Sequence, residues 1–416
     1  MNYSNDEVVQ YAAEEDVKFI RLAFCDIFGK QKNISIMPDE LPRAFEYGIA
    51  FDASAIEGFG DEARSDLFLH PEPNTLMPLP WRPENGRVVQ MFSNITWPDG
   101  KPFSCDTRYL LKKAIIDARK AGYEFSFGSE QEFYLFRLGD DGRPTSVPCD
   151  EAGYMDIAPE DRGENVRREI CLTLEQMGIR PESSHHEQGP GQNEVAFRYS
   201  DALTAADHVM MFRRVVKTVA NRNGLAADFS PKPVPGAPGN GFHINISLKK
   251  IGGDQSGTFG SPDEVAGGAF GEMIAGILKH IRSMTAFLNP DDDSYLRLGR
   301  CKAPEYVSWS AENRSQLIRI PAASGEYRRA ELRSPDPSAN PYLAFALIIY
   351  AGLDGIAKKL VLPRAENVNL YTADSDTLAR FDKLPDSFRD ACELASSSDF
   401  IRSHVPGEII DIYCGR

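Results

Sequence analysis

The sequence predicts an α+β protein in two parts, a small β-rich unit followed by a larger one in which helices and strands alternate. Three observations carry this. The stretch before residue 100 consists of short β-forming runs, such as Val17 to Phe24 and Arg87 to Phe92, separated by clusters of Gly, Pro, Asp and Asn. A turn at Pro98-Asp99-Gly100 then leads to Asp106-Thr107, a helix cap ahead of the apolar positions Leu110, Leu111, Ala114, Ile115 and Ala118. The 416 residues also exceed one domain of roughly 150 residues. The boundary is placed near residue 105, giving units 1–105 and 106–416.

In the second unit the clearest helix spans 269–288, where Phe270, Met273, Ile274, Ile277, Leu278, Ile281, Met284 and Phe287 recur at helical spacing and read as core. The apolar run Leu343 to Leu353 has 11 residues, too few for a membrane span of about 18 or more, and reads as a buried helix. No internal repeat is found, and the Gly-rich stretch 252–268 reads as a surface loop.

Composition narrows the function classes. Apolar residues make up 42% and charged residues 26%, an ordinary soluble globular composition. A net charge of −15 would repel a phosphate backbone, so no nucleic-acid partner is expected. The start, Met1 to Glu7, lacks the basic flank and apolar core of a targeting signal. Seven cysteines are scattered without a Cys-x-x-Cys, against a disulfide framework or a thiolate zinc site. A cytoplasmic protein with no membrane association is the expectation.

Four segments carry candidate chemistry. In Phe125 to Phe136 the β-formers make a strand, so Glu130 and Glu132 share a face about 7 Å apart. Such a pair needs cations or water, so metal binding and a solvated edge strand both fit. In His185-His186-Glu187-Gln188-Gly189-Pro190-Gly191-Gln192-Asn193-Glu194 a tight turn separates two acids, as a hairpin would. The histidines read as structural; the acids could converge or be solvated. In Gly241 to Leu248 strict alternation puts His243, Asn245 and Ser247 on one face. In Arg328 to Arg333, Arg329, Glu331 and Arg333 share a face, as a functional group or as an exposed charge ladder.

Taken together, Glu130, Glu132, Glu187, Glu194, Glu331 and His243 could form a set of five carboxylates and one imidazole, which suits Mg²⁺ or Mn²⁺. Arginines 297, 314, 319, 329 and 333 could hold phosphate oxygens beside the metals, which points to phosphoryl transfer. No Gly-x-x-x-x-Gly-Lys-Ser/Thr and no Gly-x-Ser-x-Gly occurs, which excludes a P-loop and leaves a hydrolase elbow without support.

In order along the chain, Phe51-Asp52-Ala53-Ser54-Ala55-Ile56, Glu130-Gln131-Glu132-Phe133, His185-His186-Glu187, Gly191-Gln192-Asn193-Glu194, Pro231-Lys232-Pro233, Gly241-Phe242-His243, Asn313-Arg314-Ser315 and Arg333-Ser334-Pro335-Asp336-Pro337 resemble a glutamine synthetase of the bacterial type. The likeness covers residues 15–413. It implies an N-terminal β-grasp-like domain that completes a neighbouring subunit's site, and a catalytic domain with a curved antiparallel sheet, a partial barrel, flanked by helices. It implies glutamate–ammonia ligation at the expense of ATP, through γ-glutamyl phosphate, with two or three Mg²⁺ or Mn²⁺ per site. Glu132, Glu187 and Glu194 would bind one metal, and Glu130, His243 and Glu331 another on the nucleotide phosphates. Gly239, Arg297 and Arg333 match positions that hold glutamate, and Arg314 and Arg319 match those that stabilise the transferring phosphoryl group. Glu182, Asn245 and Ser247 fall where the family contacts ATP, and Asp52 and Tyr154 match its ammonium site. The partners implied are L-glutamate, ammonium, ATP and further copies of the chain in a hexamer or dodecamer. The short ending after Tyr413 lacks the segment that ties two rings together in many bacterial relatives.

Several positions depart from that pattern. Lys302 stands where the family usually has a glutamate on the lid, and a cation there should repel ammonium. Glu305 or the run Asp291-Asp292-Asp293 are candidates to supply the missing carboxylate. Ala55 replaces a serine near the ammonium site, Pro238 an asparagine beside glutamate, and Glu326 a lysine near the nucleotide. Tyr371 lies in a stretch resembling the one whose tyrosine is adenylylated in some members, or is a packed loop tyrosine. Two rival readings follow: a γ-glutamyl ligase using an organic amine, and a catalytically weak relative that binds glutamate or glutamine and regulates a partner.

Overall fold

The computed structural model describes residues 3–81, 86–252, 267–322 and 329–415. Glu326 and most of the Gly-rich stretch 252–268 lie outside the described residues.

The N-terminal strands β1 (Val17–Cys25), β2 (Gln31–Ile36), β3 (Ile49–Asp52), β4 (Asp66–Pro71), β5 (Met77–Pro78) and β6 (Arg87–Thr96) form one sheet in the order β2-β1-β6-β4-β3, with β5 also on β6. The central pair β1 and β6 is parallel and its neighbours are antiparallel. Along β1, Ile20 and Leu22 are buried while Phe19 is exposed, the alternation of a sheet covered on one face.

A second sheet holds β7 (Tyr123–Leu138), β8 (Pro144–Pro148), β9 (Pro181–His186), β10 (Gln192–Asp201), β11 (Leu225–Asp228), β12 (Phe242–Lys250), β13 (Trp309–Ala311), β14 (Ile318–Ile320) and β15 (Ala330–Leu332). The order is β13-β14-β15-β12-β7-β10-β9, with β8 and β11 also on β7. The antiparallel pattern expected from the sequence is broken once among the described strands, by β13, which runs parallel to β14.

One face of this sheet is sealed by helices. Phe127 stacks on Phe345 at 4.2 Å between ring centroids, and Phe133 meets Phe212 edge-on at 6.2 Å. These partners lie on the helices Pro341–Lys358 and Ala202–Arg222. The first is long and apolar enough to cross a membrane by length and composition, but 72% of it is buried inside the protein, so it is a core helix. The helix Gly268–Leu288, expected at 269–288, packs alongside it.

The two sheets are joined through a buried charge cluster. Arg108, 2% exposed, pairs with Asp207 at 2.8 Å and with Glu72 of the N-terminal unit at 2.6 Å, while the Tyr342 hydroxyl donates to Asp207 at 2.7 Å. Burial works to raise the Glu72 pKa, yet the Arg108 guanidinium and the Lys112 ammonium hold it down at about 2. A carboxylate held below its ordinary value of 4.5 stabilises the fold fully above that pH and loses its contribution as the pH falls towards 2. Arg108→Met leaves the buried Asp207 without its ion-pair partner and takes one of two cations from the partly buried Glu72, which keeps Lys112; it is expected to cost about 3–5 kcal/mol, measured by urea unfolding at neutral pH. The difference from wild type should shrink on acidification through the same window.

Candidate active site

Along β7 the residues Phe125, Phe127, Gln131 and Phe133 point into the helices. Glu130 and Glu132 therefore point to the opposite face. Strand register decides what meets them. Glu130 lies opposite Ala196 on β10 and His243 on β12, and Glu132 lies opposite Glu194. One strand further out, Glu194 is paired with His185 of β9, and Asn245 of β12 with Glu331 of β15. Arg319 of β14 completes the row beside Glu331. Directly paired residues on one face sit about 4.5–5.5 Å apart at Cβ, so this register alone gathers the acids.

The side chains close the cluster. His243 Nδ1 lies 3.5 Å from Glu130 and 3.7 Å from Glu331, and Nε2 lies 4.0 Å from Glu132. Arg319 and Arg333 grip Glu331, 1% exposed, at 2.5 Å and 2.8 Å. Glu132 accepts the Gly241 amide at 2.7 Å and the Gln192 side-chain amide at 3.2 Å. Gly241 has to be glycine, because a Cβ there would stand 2.7 Å from His243 Nε2; at Gly239 a Cβ would collide with the Pro231 carbonyl oxygen.

These groups border a cavity of about 410 Å³. Of the residues named from sequence, Glu130, Glu132, Glu182, Glu187, Glu194 and His243 line it, together with Tyr154 and Gly239. Arg297, Arg314, Arg319, Arg329 and Arg333 line it as well. Asn245 and Ser247 border an adjoining recess that shares Glu130, Glu182 and Arg329 with the cavity. Glu331 lies beneath, held by its two arginines. Asp52 does not line the cavity of its own chain. It is exposed at the end of β3, where the Ser54 hydroxyl and amide hydrogen bonds lower its pKa.

Neither candidate for the missing lid carboxylate reaches the cavity. Glu305 pairs with Lys383 at 3.2 Å, and Asp291 caps the helix Asp292–Arg297. Lys302 does line it, in a turn where Cys301 and Lys302 both adopt left-handed backbone angles, φ 47° and 70°. The Tyr371 hydroxyl donates to the Lys302 carbonyl at 2.5 Å and shares contact with the Arg314 carbonyl at 3.0 Å, tying two loops at the cavity wall.

Two family models match the chain, the glutamine synthetase β-grasp domain over residues 16–98 and the glutamine synthetase catalytic domain over 104–415. The chain belongs to the glutamine synthetase family. The glutamine synthetase of Clostridium saccharobutylicum is 42% identical over 98% of this chain and 94% of its own, and that of Methanosarcina mazei 43% identical over 99% and 92%. A solved GmaS complex with ADP superposes with a TM-score of 0.88 at 29% identity, covering 99% of this chain and 94% of that one. The cryo-electron microscopy structure of Plasmodium falciparum glutamine synthetase, 22% identical with a TM-score of 0.87, shares the fold. The N-terminal β-grasp unit and the second sheet, a curled half-barrel, match the glutamine synthetase fold.

The donors fit divalent cations of the kind this family uses. Burial and the charges of Glu130, Glu132, Glu187 and Glu331 push the Glu194 carboxyl well above the usual range, and burial with Glu187 raises Glu132. Burial would raise Glu130 too, but His243 and Asn245 outweigh it and bring it to about 2. Cations among these oxygens would relieve the mutual repulsion. Ligand atoms of Glu130, Glu194 and His243 lie within 4.8 Å of one another, as do those of His185, Glu187 and Glu194. Glu194 thus belongs to both groups, a division different from the two sets the resemblance implies.

Sequence reasoning undervalued His185. Read there as structural, it borders the cavity, and its Nε2 donates to Glu187 at 2.9 Å. Gln192, given no role, links Glu132 to the Gly239 carbonyl and Asn240. Both share strand faces with named acids, so alternation along β9 and β10 was the available signal. His186 is structural, as expected: its two nitrogens donate to the Glu187 carbonyl at 2.6 Å and to Asp150 at 3.0 Å. Asp150, Asp161 and His186 cluster closely enough to hold a metal, but Arg167 pairs with Asp161, and the Gly191 and Arg162 amides satisfy Asp150. That cluster is a charge-balanced support behind the β9–β10 hairpin.

Proposed function

We propose that the chain is an ATP-dependent ligase that joins ammonia to the side-chain carboxylate of glutamate by way of γ-glutamyl phosphate, giving glutamine, ADP and phosphate. The observation that carries this reading is the meeting of five acids, one imidazole and five arginines around one cavity in a glutamine synthetase family member. Glu132, Glu187 and Glu194, and Glu130, His243 and Glu331, would hold two or three Mg²⁺ or Mn²⁺. Bound there, these ions supply positive charge to the reacting carboxylate and phosphate oxygens.

The chain's own residues do the rest. Glu182, Asn245 and Ser247 border the recess beside the cavity, where the nucleotide is placed. Gly239, Arg297 and Arg333 hold glutamate with its side chain towards the γ-phosphate. Arg314 and Arg319 face the charge that develops as the phosphoryl group passes to the carboxylate, and Arg319 is already fixed by Glu331. The loop carrying Lys302, pinned by Tyr371, narrows access for water that would hydrolyse the acyl phosphate. Glu187 and Tyr154, with Asp52 of a neighbouring subunit, attract ammonium, and a carboxylate takes its proton so that neutral ammonia displaces phosphate. A hexameric or dodecameric ring would bring Asp52 to the neighbour's cavity. Seven free cysteines accord with a cytoplasmic location.

A second reading is favoured by one residue. Lys302 puts a cation where ammonium is to bind, and GmaS, named for γ-glutamylmethylamide synthesis, superposes on nearly the whole chain. Phosphate release from ATP and glutamate, measured with ammonium and with a panel of amines at matched concentration, decides. The expected result is highest turnover with ammonium, with Lys302→Glu lowering its KM by about tenfold through removal of charge repulsion. A clear preference for an amine would replace ammonia as the acceptor and leave the phosphoryl-transfer half standing.

A further inference from the structure

Behind the catalytic sheet, a groove of about 500 Å³ opens between the N-terminal sheet and the helix Ala202–Arg222. Its wall carries Arg21, Lys30, Arg213, Arg214 and Lys217, and no acid among the described lining residues. In a chain of net charge −15, five cations gathered in one concave surface are a marked local reversal. We propose that this groove binds a phosphate group, free or as a phosphomonoester, and that its occupancy is transmitted to the metal-ligand strand through Arg213.

Three features support a compact anion. The cations come from two sides, Lys30 from the turn between β1 and β2 and the rest mainly from successive turns of one helix. They converge: burial together with the like charges of Arg213 and Lys30 lowers the Lys217 pKa, against the pull of Asp228. A tetrahedral dianion suits such a focus, whereas a long dicarboxylate needs two separated ones. Arg213 Nη2 is also buried without a hydrogen-bond acceptor, an unmet donor in the groove wall.

The route to the site is short. Arg213 Nε donates to the Gln131 side chain at 3.1 Å, and Nη1 to the Ala339 carbonyl at 3.1 Å. Gln131 sits between Glu130 and Glu132 on β7, and Ala339 lies shortly after the segment that begins at Arg333. An anion that draws on Arg213 therefore acts on the strand bearing two metal ligands.

The test is calorimetric titration of the full-length oligomer with inorganic phosphate at constant ionic strength. Because phosphate is also a product of the proposed reaction, the Arg319→Ala variant is titrated in parallel to weaken binding in the catalytic cavity. The expected result is one phosphate per chain that persists in Arg319→Ala and weakens at least about tenfold in Lys30→Gln/Lys217→Gln, a variant with unchanged basal turnover. Lys217→Gln alone, which removes one of the two charges, should give part of the loss. Tighter binding of glycerol phosphate than of inorganic phosphate would identify a phosphomonoester as the occupant. Binding lost in Arg319→Ala and kept in the double variant would place the ion in the cavity and overturn the proposal, as would equal affinity for succinate. Since binding is the readout, the outcome is independent of the acceptor the enzyme uses.

Discussion

Glu132→Ala is expected to lower ATP-dependent turnover by about 10³-fold or more, because metal and arginine charge supplies several kcal/mol of transition-state stabilisation and tenfold in rate corresponds to about 1.4 kcal/mol. Glu132 is a sensitive position. Its carboxylate is fixed by the Gly241 amide and by Gln192, so it is held in place before any ligand arrives. Gln192→Leu, which removes one of those supports without touching a ligand, should cost less, about 10–100-fold in metal affinity. Initial rates at several Mg²⁺ and Mn²⁺ concentrations separate the two, since Gln192→Leu should be rescued by excess metal and Glu132→Ala should not. Turnover abolished by Glu132→Ala also dismisses a purely regulatory relative. Ligand binding without turnover in the wild type would establish one.

Asp52→Ala is expected to be nearly inactive although Asp52 does not line the cavity of its own chain. The carboxylate is exposed at the end of β3, and its Ser54 contacts keep it ionised and directed outwards. If it completes a neighbour's site, two inactive variants should complement each other. Mixed oligomers reassembled from equal amounts of Asp52→Ala and Glu132→Ala should recover about a quarter of wild-type turnover, the fraction of interfaces that pair an intact cavity with an intact Asp52. No recovery from verified hybrids would place the action of Asp52 within its own chain.

The local chemistry was legible because strands alternate. Glu130 with Glu132, and His243 with Asn245 and Ser247, follow from a period of two. Their meeting was not legible from local pattern, since it depends on pairings such as Glu130 with His243 and Asn245 with Glu331, far apart in the chain. The family likeness supplied that link. Charge alone misled at Glu305: the sequence shows an acid near Lys302, but Lys383 draws it away from the cavity. His185 was undervalued because a histidine pair gives no sign of which ring faces the core, and Asp150, the carboxylate that holds His186, lies outside the motif. The Arg108 cluster joins residues from four distant segments, so no local signal announces it.

The most direct measurement is electron paramagnetic resonance of bound Mn²⁺, with the number of ions per chain counted in parallel. Two or more Mn²⁺ per chain are expected, with nitrogen coupling from one imidazole that disappears in His243→Gln and a count that falls in Glu132→Ala. Manganese that binds without imidazole coupling, or in numbers indifferent to both substitutions, would contradict the convergence of these side chains on divalent cations.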